Sequence, residues 1–228
     1  METLIGVNES VYIYGNSEAA VTAVDRVSFD VPTNSVIGVV GASGCGKSTL
    51  LHMMSGLLTP SSGSITYAGD DLYKMKDKKR TILRREQFGF IFQAYHLLPG
   101  LSALQNIRLP LLLGNKPIDK DYENRLCQTL QISQRLAHYP SELSGGQQQR
   151  VAIARALIMK PRVIFADEPT GNLDTAAKNE VFELLLECVH SFGSSLVIVT
   201  HDESVSSQID TLYTMSDGKL IHKGGREN

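Results

Sequence analysis

An α/β fold with a mostly parallel sheet, an antiparallel β segment at the start and an inserted α-helical segment is predicted by three observations on the 228-residue chain. The apolar run Val36-Ile37-Gly38-Val39-Val40 reads as a strand buried on both faces, and it leads directly into a glycine-rich stretch and then a helix. Two further apolar runs, Val163 to Ala166 and Leu196 to Thr200, are separated by a helical stretch from Thr175 to Ser191, the alternation that builds parallel sheets. Before them, Val27, Phe29 and Val31 alternate with Arg26, Ser28 and Asp30, the period of a half-buried strand in an antiparallel start.

The remaining elements follow in order. Leu50, Met53, Met54, Leu57 and Leu58 recur at helical spacing, with Gly56 or the Thr59-Pro60 pair marking the end. Gly89 to Phe92 reads as a strand. Composition turns helical from Asp119 to about Leu136, and Val151 to Met159 reads as a helix closed by Pro161. Thr211 to Ser216, the Asp217-Gly218 turn and Lys219 to His222 form a terminal hairpin. The predicted organisation is one domain, with a core from residues 1–92 and 161–228 and a helical part over 93–160.

Composition narrows the function classes. Twenty-two Lys plus Arg against twenty-four Asp plus Glu give a formal charge of −2, which excludes a polybasic protein, and no nucleic-acid partner is expected. The longest uncharged run, Gln87 to Ile107, is broken by Gln93, His96, Pro99, Gly100 and Asn106 and does not read as a membrane span. METLIGVNES lacks the basic and apolar segments of an export signal, so a cytosolic chain is expected. Cys45, Cys127 and Cys188 are odd in number and widely spaced, which predicts free thiols. Between Lys74 and Arg85, seven of twelve residues are basic; the run reads as a solvated helix face, with contact to anionic lipid head groups the other reading.

Gly41-Ala42-Ser43-Gly44-Cys45-Gly46-Lys47-Ser48 has the phosphate-loop pattern: two glycines with four residues between them, then Lys and Ser. Backbone N–H groups and a helix N-terminus favour an anion there, with Lys47 on the β- and γ-phosphates and Ser48 on Mg²⁺. Asp167 and Glu168 end a buried apolar strand, the edge where parallel sheets bind ligands. Asp167 is suited to hold Mg²⁺ and Glu168 to polarise the attacking water. Leu143-Ser144-Gly145-Gly146-Gln147 precedes a helix, its serine an N-cap and its glycines a close-approach surface for an anion.

This pentapeptide, between the two nucleotide motifs, resembles the signature of the ATP-binding-cassette transporter ATPases, and the likeness covers nearly the whole chain. The resemblance implies a P-loop NTPase (RecA-like) core that binds ATP and Mg²⁺ through Gly41, Ser43, Gly44, Cys45, Gly46, Lys47, Ser48 and Thr49. Cys45 stands where the family commonly carries Ser. The resemblance implies further that Gln93 is the Q-loop glutamine contacting Mg²⁺ or water, that Asp174 belongs to the D-loop, and that His201 is the switch histidine at the γ-phosphate. Tyr14 sits where the family stacks an aromatic on adenine, with Tyr12 as competitor.

Within the family the likeness is to the LolD/MacB-like group, carried by Phe90 to Pro99, Leu109 to Leu112, Tyr139 to Gln147 and Ala166 to Asp174. It implies a homodimer sandwiching ATP between one subunit's phosphate loop and the other's Ser144-Gly145-Gly146. It also implies a separate integral membrane permease subunit, served from the cytoplasmic face of the inner or plasma membrane in export or lipoprotein release. A cell-division or signalling regulator without transport is the alternative. The apolar segment Ala94 to Leu113, with Tyr95 and Leu98 foremost, is the expected contact with the membrane partner.

Overall fold

The computed structural model describes residues 2–15, 20–202 and 207–224. Its strands are β1 (Thr3–Tyr14), β2 (Val21–Pro32), β3 (Val36–Val40), β4 (Ser62–Tyr67), β5 (Asp70–Asp71), β6 (Phe88–Phe92), β7 (Val163–Asp167), β8 (Ser195–Thr200), β9 (Thr211–Ser216) and β10 (Lys219–Gly224). Its α-helices are α1 (Lys47–Met54), α2 (Asp77–Gln87), α3 (Ala103–Leu113), α4 (Lys120–Thr129), α5 (Gly145–Leu157) and α6 (Thr175–Phe192). The predicted combination of a mostly parallel sheet with an antiparallel one is present. Two compact units divide the chain: residues 1–84 with 195–228, and 85–194. These limits differ from the expected 93–160 insertion because β6 and β7 pair with each other and α5 lies directly on β6, so the strands group with the helices.

In the first unit, β2-β1-β4-β5 form an antiparallel sheet, with Ile5 opposite Val31 and Val7 opposite Phe29, so the alternating apolar residues share the buried face. Strand β3 lies parallel to β8 and β9, and β10 closes the hairpin on β9. All five residues of β3 are buried, as its unbroken apolar run requires. Helix α1 stops at Met54, before both predicted ends, with Ser55 as its C-cap and Gly56 at φ 72°. The turn beyond is fastened by the Tyr73 hydroxyl, which lies on the Met53 and Leu58 carbonyls; burial pushes its pKa up.

In the second unit, the parallel pair β6–β7 carries a cluster of Phe88, Phe90 and Phe165. A Cβ on Gly89 would stand 2.8 Å from the Ala156 carbonyl, so only glycine lets α5 approach this closely. Helix α5 begins at Gly145, as the N-cap reading of Ser144 requires and six residues before the apolar pattern at Val151, because Ser144 and Gln147 form a reciprocal capping box. The predicted 119–136 helix divides: α4 ends at Thr129, Gln131 takes φ 55°, and a 3₁₀ turn covers Ser133–Arg135. Arg108 on α3 makes a bidentate pair with the buried Glu123 on α4, at 2.6 Å to each oxygen. Among the described residues, β1, β4, β5 and α3 have no element of their own in the sequence reading: the Ser62-Gly63-Ser64 start masks β4, β5 has two residues, and α3 contains Pro110.

Candidate functional site

In the first unit, the functional residues gather at the carboxyl ends of parallel strands. Val40 is the register partner of both Thr200 and Thr214, so the loop beginning at Gly41, His201 and the β9–β10 hairpin leave the sheet at one edge. Backbone contacts hold the phosphate loop. A Cβ on Gly41 would lie 2.2 Å from the Met215 carbonyl oxygen, and one on Gly46 would lie 2.0 Å from that of Ala23. Gly46, the N-cap of α1, also has φ 108°, a conformation closed to other residues. The hairpin turn clasps the same loop, with Gly218 N–H donating to the Cys45 carbonyl (3.2 Å) and its own carbonyl accepting from Asp25 N–H (2.8 Å).

These contacts frame a cavity of about 400 Å³ lined by the loop from Gly44 to Thr49, Tyr14, Val21, Thr22, Ala23 and the Asp217-Gly218 turn. Lys47 is buried, and its ammonium donates to the Gly41 and Ala42 carbonyls at 2.8 Å each. Its charge is thus held within the loop by backbone oxygens. Tyr14, not Tyr12, lines the cavity; its hydroxyl is 3.2 Å from Thr49 Oγ1, and the Tyr12 ring packs edge-on against it at 4.8 Å. Cys45 lies half-buried, its Sγ 3.9 Å from Lys47 Nζ. His201 is exposed just past β8.

The second unit repeats the strand-edge logic. Phe92 pairs with Asp167, so Gln93 and the Asp167-Glu168 pair issue side by side from β6 and β7. Glu168 adopts φ 47°, and the Gly171 N–H donates back to its carbonyl at 3.0 Å, forming a tight turn. Behind that turn the buried Gln149 of α5 donates through Nε2 to the Pro169 carbonyl. Gln93 Nε2 donates to Asn172 Oδ1, and Asn172 Nδ2 donates to the Gln93 carbonyl, both at 2.9 Å. Asp174 caps α6, accepting from Ala177 N–H at 3.0 Å.

The LSGGQ segment is anchored by the buried Leu143, while Ser144 is exposed. Ser144 Oγ accepts from Gln147 N–H (3.3 Å) and Gln147 Oε1 accepts from Ser144 N–H (3.0 Å). A Cβ on Gly145 would meet Tyr95 Oη at 3.0 Å and Leu173 at 3.4 Å, so the glycine lies between the residues following Gln93 and those preceding Asp174. Tyr95 and His96 both take left-handed backbone angles, φ 58° and 49°. Arg155 on α5 holds this strained pair through their carbonyls, at 2.6 Å and 2.5 Å. Burial lowers the Arg155 pKa and raises that of Tyr95.

Each sequence-predicted site residue is thus placed within one unit or the other. The sequence reading missed the Asp217-Gly218 clasp, Asn172 as a partner of Gln93, Gln149 and Arg155. Asp217-Gly218 carries a turn signal alone; Asn172 lies inside the Ala166 to Asp174 stretch, Gln149 and Arg155 lie beyond the LSGGQ segment, and none of these three has a signal of its own. Among the described residues no cluster of three or more His, Cys, Asp or Glu suits a metal ion, and no helix is long and apolar enough to cross a membrane.

Residues 24–171 match the family described as ABC transporter. The lipoprotein-releasing system ATP-binding protein LolD of Legionella pneumophila (strain Paris) is 42% identical over 96% of this chain and 98% of its own. LolD of Geobacter metallireducens is 42% identical over 97% and 99%. Among solved structures, the ATP-binding cassette MJ0796, dimeric in a post-hydrolysis state bound to ADP and Pi, superposes with a TM-score of 0.86 at 31% identity, covering 98% of this chain and all of that one. CbiO1 of Clostridium perfringens, part of the ABC transporter complex cbiONQ, gives a TM-score of 0.87 at 28% identity over 99% of this chain and 89% of that one.

Proposed function

The chain belongs to the ABC transporter family as an ATP-hydrolysing subunit, and from that premise we propose that it drives a separate membrane permease in lipoprotein release. The observation that carries this reading is the near-full-length likeness to LolD proteins, which favours transport over the regulatory alternative.

The strand-edge geometry supports the following residue roles. The 41–49 loop and the α1 N-terminus receive the triphosphate, Lys47 exchanging its carbonyl partners for phosphate oxygens, and Tyr14 faces the adenine. Gln93 and Asp167 leave adjacent strand ends and each can present an oxygen, and Ser48 a hydroxyl, hard ligands that suit Mg²⁺. That ion, when bound, neutralises charge on the β- and γ-phosphates. Glu168 accepts a proton from the attacking water, and His201 hydrogen-bonds the γ-phosphate. Ser144, Gly145 and Gly146 reach the nucleotide of a second copy, where the α5 N-terminus adds positive potential; a homodimer closed on two ATP molecules is the working state.

The membrane contact is an apolar groove of about 330 Å³ lined by Leu101, Leu109, Leu111, Leu112 and Ile118, with Arg108 and Lys116 at its rim. Leu112 is 76% exposed and Leu98 46%, whereas Ile107 and Leu111 are core residues and Tyr95 is tucked toward Gly145. Such a groove takes the apolar face of a short helix, and through it the protein would sit peripherally on the cytoplasmic face of the membrane. Most of the basic 74–85 run is engaged by acidic or carbonyl partners, including Asp70, Asp71, Asp77 and the Gly56 carbonyl, which favours the solvated-face reading. Depletion of the protein in its own cells tests the proposal. Lipoproteins should accumulate at the inner membrane, and their unchanged distribution would exclude this role.

A further inference from the structure

The Gln93–Asn172 pair fixes which end of the Gln93 amide faces outward. Only an N–H can donate to a backbone carbonyl, so the Asn172 atom on the Gln93 carbonyl is Nδ2, and the atom on the Gln93 side chain is Oδ1. An acceptor there requires Nε2 of Gln93 as its donor, at 2.9 Å. The Gln93 oxygen Oε1 is therefore the end turned away from Asn172. An amide nitrogen cannot ligate a hard cation, whereas an amide oxygen can.

Gly171 completes the arrangement. A Cβ at this position would stand 2.8 Å from Gln93 Nε2, 3.1 Å from Cδ and 3.3 Å from Cγ, so the side chain lies across the glycine. The same short stretch joins the Glu168 turn, through Gly171 N–H, to the Asp174 cap of α6.

We propose that Asn172 is a positioning residue that presents Gln93 Oε1 toward the Mg²⁺ of the bound nucleotide, with Gly171 leaving the room to do so. The inference rests on the assignment of Gln93 to Mg²⁺ above. Asn172 acts through Gln93 and touches neither ion nor nucleotide itself. Because both side chains are exposed, their loss leaves the core intact and changes the orientation of one amide.

The measurement is equilibrium binding of a fluorescent ATP analogue to the full chain with excess Mg²⁺ and again in EDTA; the ratio of the two affinities reports the benefit of the ion. Asn172→Ala is expected to lower this ratio about five- to tenfold, the size of one or two modest hydrogen bonds, with the EDTA affinity unchanged. Gly171→Ala is expected to reproduce the loss, because the Gln93 side chain is the group that must give way. In a Gln93→Ala background, Asn172→Ala should have no further effect, since no amide is left to orient. An unchanged ratio in Asn172→Ala, or an equal loss with and without Gln93, overturns the positioning role. If Gln93→Ala alone leaves the ratio unchanged, the assignment of Gln93 to Mg²⁺ falls and the proposal falls with it.

Discussion

The phosphate loop and the Gln93–Ser144–Glu168 region reach functional geometry by different means. Around the loop, backbone meets backbone: Gly41 against the Met215 carbonyl, Gly46 against the Ala23 carbonyl, and Cys45 held by Gly218 N–H. In the second unit, side chains hold side chains or carbonyls: Gln93 with Asn172, Ser144 with Gln147, Gln149 with Pro169, and Arg155 with Tyr95 and His96. A backbone-built site has few adjustable parts and presents a fixed anion cradle. A site held by side-chain hydrogen bonds can exchange its exposed partners at about 1 kcal/mol per bond, which suits the proposed response to a nucleotide and to a second subunit.

The largest effect that separates the two is expected from Gly46→Ala. The substitution removes no phosphate-binding side chain, yet it places a methyl 2.0 Å from the Ala23 carbonyl at φ 108°. ATP affinity, followed by fluorescence titration, should fall by about 10² or more, because steric overlap and left-handed strain both oppose the native loop. Near-normal affinity would show that side chains, Lys47 above all, shape the loop.

Ser144→Arg is the matching test in the second unit. The capping box is lost at a cost of about 1 kcal/mol, which a folded helix of this length tolerates, while a bulky cation stands at the α5 N-terminus. Monomer ATP binding should stay within about threefold of normal, and hydrolysis should drop by about 10² because closure is blocked. Abolished monomer binding, or unaffected turnover, would contradict action on a second copy's nucleotide.

A smaller effect concerns the thiols. Burial pushes the Cys127 pKa up to about 11 and that of Cys188 up to about 12, so at pH 8 both are almost wholly protonated and shielded. Thiolate, the reactive form, appears for these two only as pH rises toward those values. Cys45 lines the cavity and should react first with a maleimide, with ATP slowing its labelling several-fold. Equal labelling of all three cysteines, measured by mass spectrometry, would remove the distinction in accessibility.

The two regions also differ in how far the sequence discloses them. The phosphate loop is legible because its glycines, Lys47 and Ser48 are adjacent in the chain and each has a local reason, either a backbone angle or a charge. What closes that loop is not legible: Asp217 and Gly218 are distant in sequence and carry only a hairpin signal. The LSGGQ and Asp167-Glu168 motifs are equally plain, yet the apolar pattern of α5 starts only at Val151, six residues past the helix start at Gly145 that the Ser144 N-cap sets, because Gly145 and Gly146 lower helix propensity. The reciprocal Ser144–Gln147 cap overrides that local preference. Asn172 and Arg155 show no periodicity or composition that marks them, since their roles depend on Gln93, Tyr95 and His96, brought near by the β6–β7 pairing and by α5 on β6.

The central claim is that this chain is an ATPase whose Glu168 removes a proton from the attacking water in a closed dimer. Glu168→Gln keeps the size of the side chain and removes the base, so ATP turnover and particle mass in the presence of ATP should be measured together. Turnover is predicted to fall by about 10² or more, with the ATP-bound species eluting at twice the monomer mass. Near-normal turnover, or a variant that stays monomeric with saturating ATP, would contradict the account.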